Sequence, residues 1–219
     1  MLILTLVLVL ICAIGLAWGS FLDYWFWKKW ENNKRNFMFR WFGRKLWYSR
    51  APAVVGCVFY KDGDDVYVLL NQRGKGTPDW QGYWSAPCGY LDFDETCDEA
   101  CSRELREETG VYIPSQDLTL VTVDSHPEHD ARQNVVFRYG IIISKEKAES
   151  FVLTDKDSEK DEVDAIRWVH LGDMKNYNMA FNHFEIIPKV YEGLCKIQQY
   201  KEWKKSCEVT KSEVNSCAQ

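Results

Sequence analysis

The chain lacks the patterns that build thiolate metal sites and disulfide frameworks. Of its 219 residues only four are histidine, and its eight cysteines, at 12, 57, 88, 97, 101, 195, 207 and 217, include no C-x-x-C pair. No His or Cys stands at the companion spacing of a zinc site, which excludes the usual structural zinc modules. Cys97 and Cys101 are four apart, a helix-face spacing rather than a disulfide ladder. Read as reduced thiols, they suit the cytosolic side of a membrane. No internal repeat is present. Charge is missing altogether from residues 1–22. Beyond Arg50 there is no basic tract of the kind that neutralises nucleic-acid phosphates, so a nucleic-acid partner is not expected.

What is present is unevenly distributed. Residues 1–50 carry eight Lys and Arg against Asp23 and Glu31, a net +6, which leaves −11 for the rest of a chain whose total is −5. An acidic domain thus follows a basic, aromatic neck, and acidic domains suit divalent cations. The uncharged run 1–22 is long enough to cross a bilayer as a helix. The flank 23–50, with its Trp, Tyr, Lys and Arg, matches a headgroup-zone segment on the cytoplasmic side. The expectation is a single-pass anchor that attaches residues 1–50 to the lipid bilayer, with the catalytic domain inside. Residues 24–50 also allow a basic amphipathic helix on the membrane surface. A cleaved signal peptide competes, with a small-residue site at Ala17 to Ser20, but its basic n-region is missing.

From Ala51 the pattern is that of one α/β domain, 51–204, ahead of a polar tail, 205–219, that reads as disordered. "AVVGCVFY" and "DVYVLLNQR", joined by "KDGD", predict a hairpin. "LTLVTVDSH", "NVVFRYGIII" and "AIRWVHL" predict further strands. Asp94 or Thr96 starts a helix that stops at Gly110, and "NHFEIIPKVYEGLCKIQQYKEW" predicts a second. Strands, a central helix, more strands and a late helix give a mixed sheet with helices packed on it.

The central helix poses an electrostatic problem. Cys97, Cys101 and Leu105 form an apolar stripe that should face the sheet. Glu104, Glu107 and Glu108, at i, i+3 and i+4, bring like charges together near a helix C-terminus, where the macrodipole already disfavours them. Arg103 compensates in part, with Glu99 four residues before it. A hard cation, Mg²⁺ or Mn²⁺, is the natural remainder.

These residues fall in a fixed pattern: Gly89, five residues, Glu95, seven residues, then Arg103-Glu104-Leu105-Arg106-Glu107-Glu108-Thr109-Gly110-Val111. The stretch resembles the Nudix box of the Nudix hydrolases at every fixed position, and the wider resemblance runs from about Ala51 to Gln199. It implies a Nudix fold, an α/β/α sandwich. It also implies Mg²⁺- or Mn²⁺-dependent hydrolysis of a nucleoside diphosphate linked to another moiety, such as ADP-ribose, a nucleotide sugar or a dinucleotide. By position Glu104, Glu107 and Glu108 would be metal ligands, and Glu104 or a loop glutamate the general base. Arg103 would orient Glu104, and Glu95 would brace the loop or reach the metal through water. Cys88 replaces a glycine whose backbone often serves the metal. Its carbonyl can do the same if its conformation is not glycine-only.

Other residues bear on the substrate. Arg73, ending the second strand, is a candidate phosphate contact. Trp80, Tyr83 and Trp84 are candidates to stack a base, against a core role for Trp84. His126, Glu128 and His129 follow a strand, where a distal base or ligand could sit. Glu162, in the acidic loop 155–164, resembles an additional family ligand. Asn182 stands where ADP-ribose-pyrophosphatase-like members have Asp, and it also suits a helix N-cap with Glu185 as partner. A nucleoside triphosphate pyrophosphatase and a non-catalytic nucleotide sensor regulating a membrane partner are the alternatives. A homodimer is compatible with the sequence.

Overall fold

The computed structural model describes residues 37–41, 44–129, 132–156, 158 and 161–216, with side chains described outside 37–48 and 206–216. The chain divides into two units, Met1–Arg50 and Ala51–Gln219. The expected anchor, 1–22, lies outside the described residues, as does much of the neck. Among the described residues no helix is long and apolar enough to cross a membrane. In the first unit, β1 (Phe37–Trp41) pairs antiparallel with β2 (Arg44–Tyr48). This corrects the surface-helix reading for those residues: their aromatic side chains favour extended backbone.

The second unit is built on a seven-stranded mixed sheet. The predicted hairpin forms from β3 (Pro52–Asp62) and β4 (Asp65–Arg73). Short strands β5 (Trp84–Ser85) and β6 (Cys88–Tyr90) follow and pair with β4 and β3. After the helix α1 (Cys97–Thr109) come β7 (Thr119–Asp124) and β8 (Val135–Ile143). A short helix α2 (Lys145–Ser150), strand β9 (Val163–His170) and helix α3 (His183–Ser216) complete the chain. The order is β5-β4-β3-β8-β7, with β9 also on β4. Only β3 and β8 run parallel among the paired strands of this sheet.

β3 is buried on both faces, and its alternation sorts two cores. Val54 and Val58 pack with Leu69 and with Ala100, Cys101 and Leu105 of α1. Val55, Cys57 and Phe59 pack with Val68 and Leu70 and with Ile187, Val190 and Leu194 of α3. Helices therefore cover both faces, the α/β/α sandwich expected. The stripe on α1 faces the sheet as its spacing predicts. Gly56 permits the close approach: a Cβ there would lie 2.9 Å from Leu105 Cγ and 3.0 Å from Cys101 Sγ. Cys57, Cys88, Cys97, Cys101 and Cys195 are free thiols.

Local signals set the ends of α1. Thr96 caps it, and the Glu99 carboxylate accepts from Thr96 N and Oγ1, each at 2.8 Å. Gly110 closes it at φ 74°, donating to Arg106 O. Glu99 is thus used in the cap and not against Arg103. Helix α3 starts at His183, with Asn182 O accepting from Ile186 N, and contains Pro188. It runs to Ser216, which corrects the reading of a disordered tail from 205 as far as that residue. Residues 201–216 hold good helix formers and neither Gly nor Pro to stop them.

Candidate active site

A cleft of about 710 Å³ opens where α1, the loop before β5 and the start of α3 meet the sheet. Its acidic wall comes from Gly89 to Val111. Glu104 and Glu107 line it. Both are drawn onto Arg103, whose Nη1 donates to Glu104 Oε1 at 2.7 Å and Glu107 Oε2 at 3.1 Å. The rest of that guanidinium grips the loop: Nε and Nη2 donate to the Glu95 carboxylate, and Nη2 also to Tyr90 O. Glu95 in turn accepts from Asp92 N at 2.8 Å. It braces the loop, the first of the two roles expected of it. Gly89 is necessary here, because a Cβ would overlap the Glu104 carboxylate.

Glu108 lies beneath the cleft, only 2 % exposed. Its Oε2 accepts from Cys88 N at 3.0 Å and Asn71 Nδ2 at 3.1 Å. Burial raises its pKa well above the ordinary carboxylate range, and Glu104 and Glu162 add to the shift. Burial likewise pushes Glu104 up to about 7, with Glu107 and Glu162 adding to it and Arg103 opposing. Among the described residues no three acidic, His or Cys side chains stand together as a finished ligand set. The spacing expectation of three converging carboxylates is met only by Glu104 and Glu107, because Glu108 is turned to the Cys88 amide. The donor chemistry still fits a hard divalent cation. All the donors are carboxylate oxygens, burial and acidic neighbours together raise the pKa values of Glu104 and Glu108, and a cation would relieve that repulsion. Glu104, Glu107 and Glu108 would hold it, with Glu162 lining the same cleft.

A family model, the NUDIX domain, matches residues 50–190. This chain is a Nudix hydrolase. An ADP-ribose pyrophosphatase of Methanocaldococcus jannaschii is 30% identical over 161 residues, 73% of this chain and 78% of that one. The uncharacterised Nudix hydrolase YvcI of Bacillus subtilis is 27% identical over 144 residues, 64% of this chain and 79% of its own. The fold matches the NUDIX domain of Shewanella oneidensis NrtR complexed with ADP ribose. The TM-score is 0.56 at 24% identity, over 67% of this chain and 90% of that one.

The Nudix site gathers most of the residues singled out by sequence. Arg73 lines the cleft, buried, with Nη2 on Asp79 Oδ1 at 3.2 Å and its guanidinium 5.1 Å from the Phe181 ring centroid. Trp80 lines it too, 42 % exposed and edge-on to Tyr83. Trp84 does not. It is 8 % exposed in the α3-side core, packed on Tyr177 with Arg167 over its ring, so its role as a substrate contact is corrected. The pattern W-S-A-P-C-G places it on β5 pointing inward. Cys88 lines the cleft, and its amide donates to Glu108 Oε2. His126 and His129 line the cleft, and Asn182 lies at the start of α3.

Four participants were not named from the sequence, although Phe181 and His183 flank Asn182 in the stretch that resembles ADP-ribose-pyrophosphatase-like members. Phe181, 39 % exposed, meets Trp80 with ring centroids 5.9 Å apart. Both residues have φ 53°, a left-handed conformation uncommon for bulky side chains and found at ligand sites. Arg138, Asp124 and His183 form the wall away from the glutamates. Asp124 Oδ2 accepts from Arg138 Nη2 and pairs with His129 Nδ1, each at 2.9 Å. Burial pushes the Asp124 carboxyl up, but its bonds from His126 N, His129 and Arg138 outweigh that and hold it well below the usual range. Burial, with Arg138 and Arg73 nearby, lowers His183 to about 3, so the ring is neutral. A buried Arg on β8 reads in sequence as an interruption of an apolar strand.

Proposed function

We propose that this Nudix hydrolase cleaves the diphosphate linkage of a nucleoside diphosphate joined to a second moiety, with ADP-ribose-like compounds as its substrate class and Mg²⁺ or Mn²⁺ as its metal. One observation carries the reading. A single cleft joins the glutamate wall, the guanidinium of Arg73 and the exposed Trp80–Phe181 pair. That is the combination a diphosphate and an attached nucleobase require. The named activity of the archaeal relative supports it.

When bound, a divalent cation would supply nucleophile activation and neutralisation of the charge on the leaving phosphate. The chain's own residues do the rest. Glu104 would accept a proton from the attacking water. Arg103 fixes its carboxylate, Glu108 is held by Cys88 N and Asn71, and Arg73 takes phosphate oxygens. Trp80 and Phe181 stack the base.

The test is incubation of the full chain with Mg²⁺ and ADP-ribose, NADH, diadenosine polyphosphates, nucleotide sugars or nucleoside triphosphates, with Glu108→Gln as control. Release of AMP and a phosphorylated second product from ADP-ribose, absent with the variant, is the expected result. Preferential release of pyrophosphate from triphosphates would overturn the substrate class. Silence on every compound, with thermal stabilisation by a nucleotide, would replace the enzyme with a sensor.

We also propose that residues 1–22 anchor the chain with its catalytic domain on the cytoplasmic side. The uncharged run and the basic aromatic flank support this. Release of the protein from membranes by alkaline carbonate would refute it.

A further inference from the structure

The cleft continues beyond the glutamates to a wall that the Nudix box does not supply. On β3, Val55 pairs with Cys88 on one side and with Arg138 on the other. Cys88, Val55 and Arg138 therefore form one row across the sheet, on the face that carries α3. Two strand spacings, roughly 10 Å, separate the backbone of Cys88, which holds Glu108, from that of Arg138. Asp124, on β7 at the far side of β8, draws the Arg138 guanidinium further from the glutamates. With the diphosphate at the glutamates, Arg138 is left to the moiety joined to it.

Arg138 is only 5 % exposed, yet it lines the cleft. Its Nε is the one buried side-chain nitrogen or oxygen, among the described residues, without a hydrogen-bond partner. An unpaired guanidinium N–H shielded from water is costly, and such a group calls for a ligand or another specific cause. Asp124 does not meet that need. Its carboxylate already accepts from His126 N and Arg138 Nη2 and pairs with His129. His183 brings a second donor to the same wall. Its Nδ1 accepts from Ala86 N at 3.2 Å, which leaves the proton of the neutral ring on Nε2.

We propose that Arg138, with His183 beside it, binds an anionic oxygen on the moiety attached to the nucleoside diphosphate, and so favours, within the ADP-ribose-like class, members whose second moiety carries a carboxylate or a further phosphate. The proposal rests on the reading above that the diphosphate sits at the glutamates. It places the acidic group at Arg138 on β8 and the nucleobase at the exposed Trp80–Phe181 pair, with the Phe181 ring 5.3 Å from that of His183.

ADP-glucose and ADP-glucuronate test it, because they differ at one carbon, hydroxymethyl against carboxylate. Both are titrated calorimetrically into the full chain with Ca²⁺ in place of Mg²⁺, so that the readout is binding and not turnover. The wild type is expected to bind ADP-glucuronate about tenfold tighter or better, the scale of a charge-assisted hydrogen bond. In Arg138→Met the ratio of the two affinities should fall to about one. In Arg138→Lys, which keeps the charge without the Nε–H fork, it should be intermediate. Arg138→Met leaves Asp124 without its guanidinium. If that variant does not fold, the wild-type ratio and the Lys variant decide. Equal wild-type affinities would overturn the acidic-moiety proposal and leave the reaction class standing. Failure of both compounds to bind would remove the diphosphate reading and this proposal with it.

Discussion

The two walls of the cleft are built in opposite ways. One comes from 23 consecutive residues, Gly89 to Val111, folded as a loop and the helix α1. The other is assembled from Asp124 on β7, Arg138 on β8 and His183 at the start of α3, brought together only by the sheet. The first wall is crowded with carboxylates, and burial raises the pKa values of two of them, Glu104 and Glu108. The second pairs a guanidinium with a carboxylate held low and an imidazole held neutral. The comparison teaches a division of labour. A contiguous wall can carry a reaction shared by a family, while a wall made from separate elements is free to vary with the substrate.

The largest effect should come from the contiguous wall. Glu108→Gln should lower kcat by at least about 100-fold, since outer-shell changes alone reach 10–100-fold at metal sites. It should not lower the melting temperature. The amide oxygen can still accept from Cys88 N and Asn71 Nδ2, and the cost of a buried carboxylate is removed. Steady-state kinetics and thermal unfolding of the same preparation check both halves. A variant with most of its activity, or one that is grossly unstable, would show that Glu108 is a structural acid and that the near wall is not the chemical one.

A smaller loss, about 10- to 100-fold in kcat, is expected for Gly89→Ala and for Arg103→Lys. The methyl group that Gly89→Ala introduces would displace the Glu104 carboxylate. Lysine cannot reproduce the fork that joins Glu95, Glu104 and Glu107. Neither change touches the far wall, so KM should move much less than kcat. A rise in KM alone would mean that the two walls do not divide chemistry from recognition.

The near wall was legible in the sequence because its geometry is local. Helix periodicity places Cys101 and Leu105 inward and Glu104 and Glu107 on another face, Gly110 marks the stop, and the hairpin from Ala53 to Arg73 follows from alternation and turn residues. The far wall was not legible because it depends on register. Arg138 meets Val55, and Asp124 meets Val136, only once β8 has paired parallel with β3 and antiparallel with β7. Similar logic explains Trp84, which a cleft-like neighbourhood in sequence suggested as a base contact and which β5 turns into the core. The Glu99–Arg103 pair failed for a different reason: the cap at Thr96 and the ligand-like grip on Glu95 competed for the same two side chains.

The smallest predicted effect separates the walls by the sign of their response to acid. His183 is depressed to about 3 from an ordinary 6.5, so below pH 6.5 the unfolded chain takes up a proton that the folded chain refuses. Its contribution to stability is complete above pH 6.5 and is lost as the pH falls toward 3, at about 1.4 kcal/mol per pH unit. Glu104 works the other way. Its folded pKa, raised to about 7, penalises the folded state at neutral pH, and that penalty fades as the pH falls toward the ordinary carboxylate value near 4.5. The net acid response of the wild type is therefore shallow, and the two halves must be separated by substitution. His183→Gln keeps an acceptor for Ala86 N and removes the titration. Urea unfolding of wild type and variant at pH 7, 6 and 5 should show their stability difference shifting by roughly 2 kcal/mol against the wild type across that range. A difference that stays constant with pH would mean that the folded ring accepts a proton in the cleft. His183 would then be a cation at neutral-to-acid pH, and the far wall would attract acidic groups by charge rather than through the Nε2–H of a neutral ring.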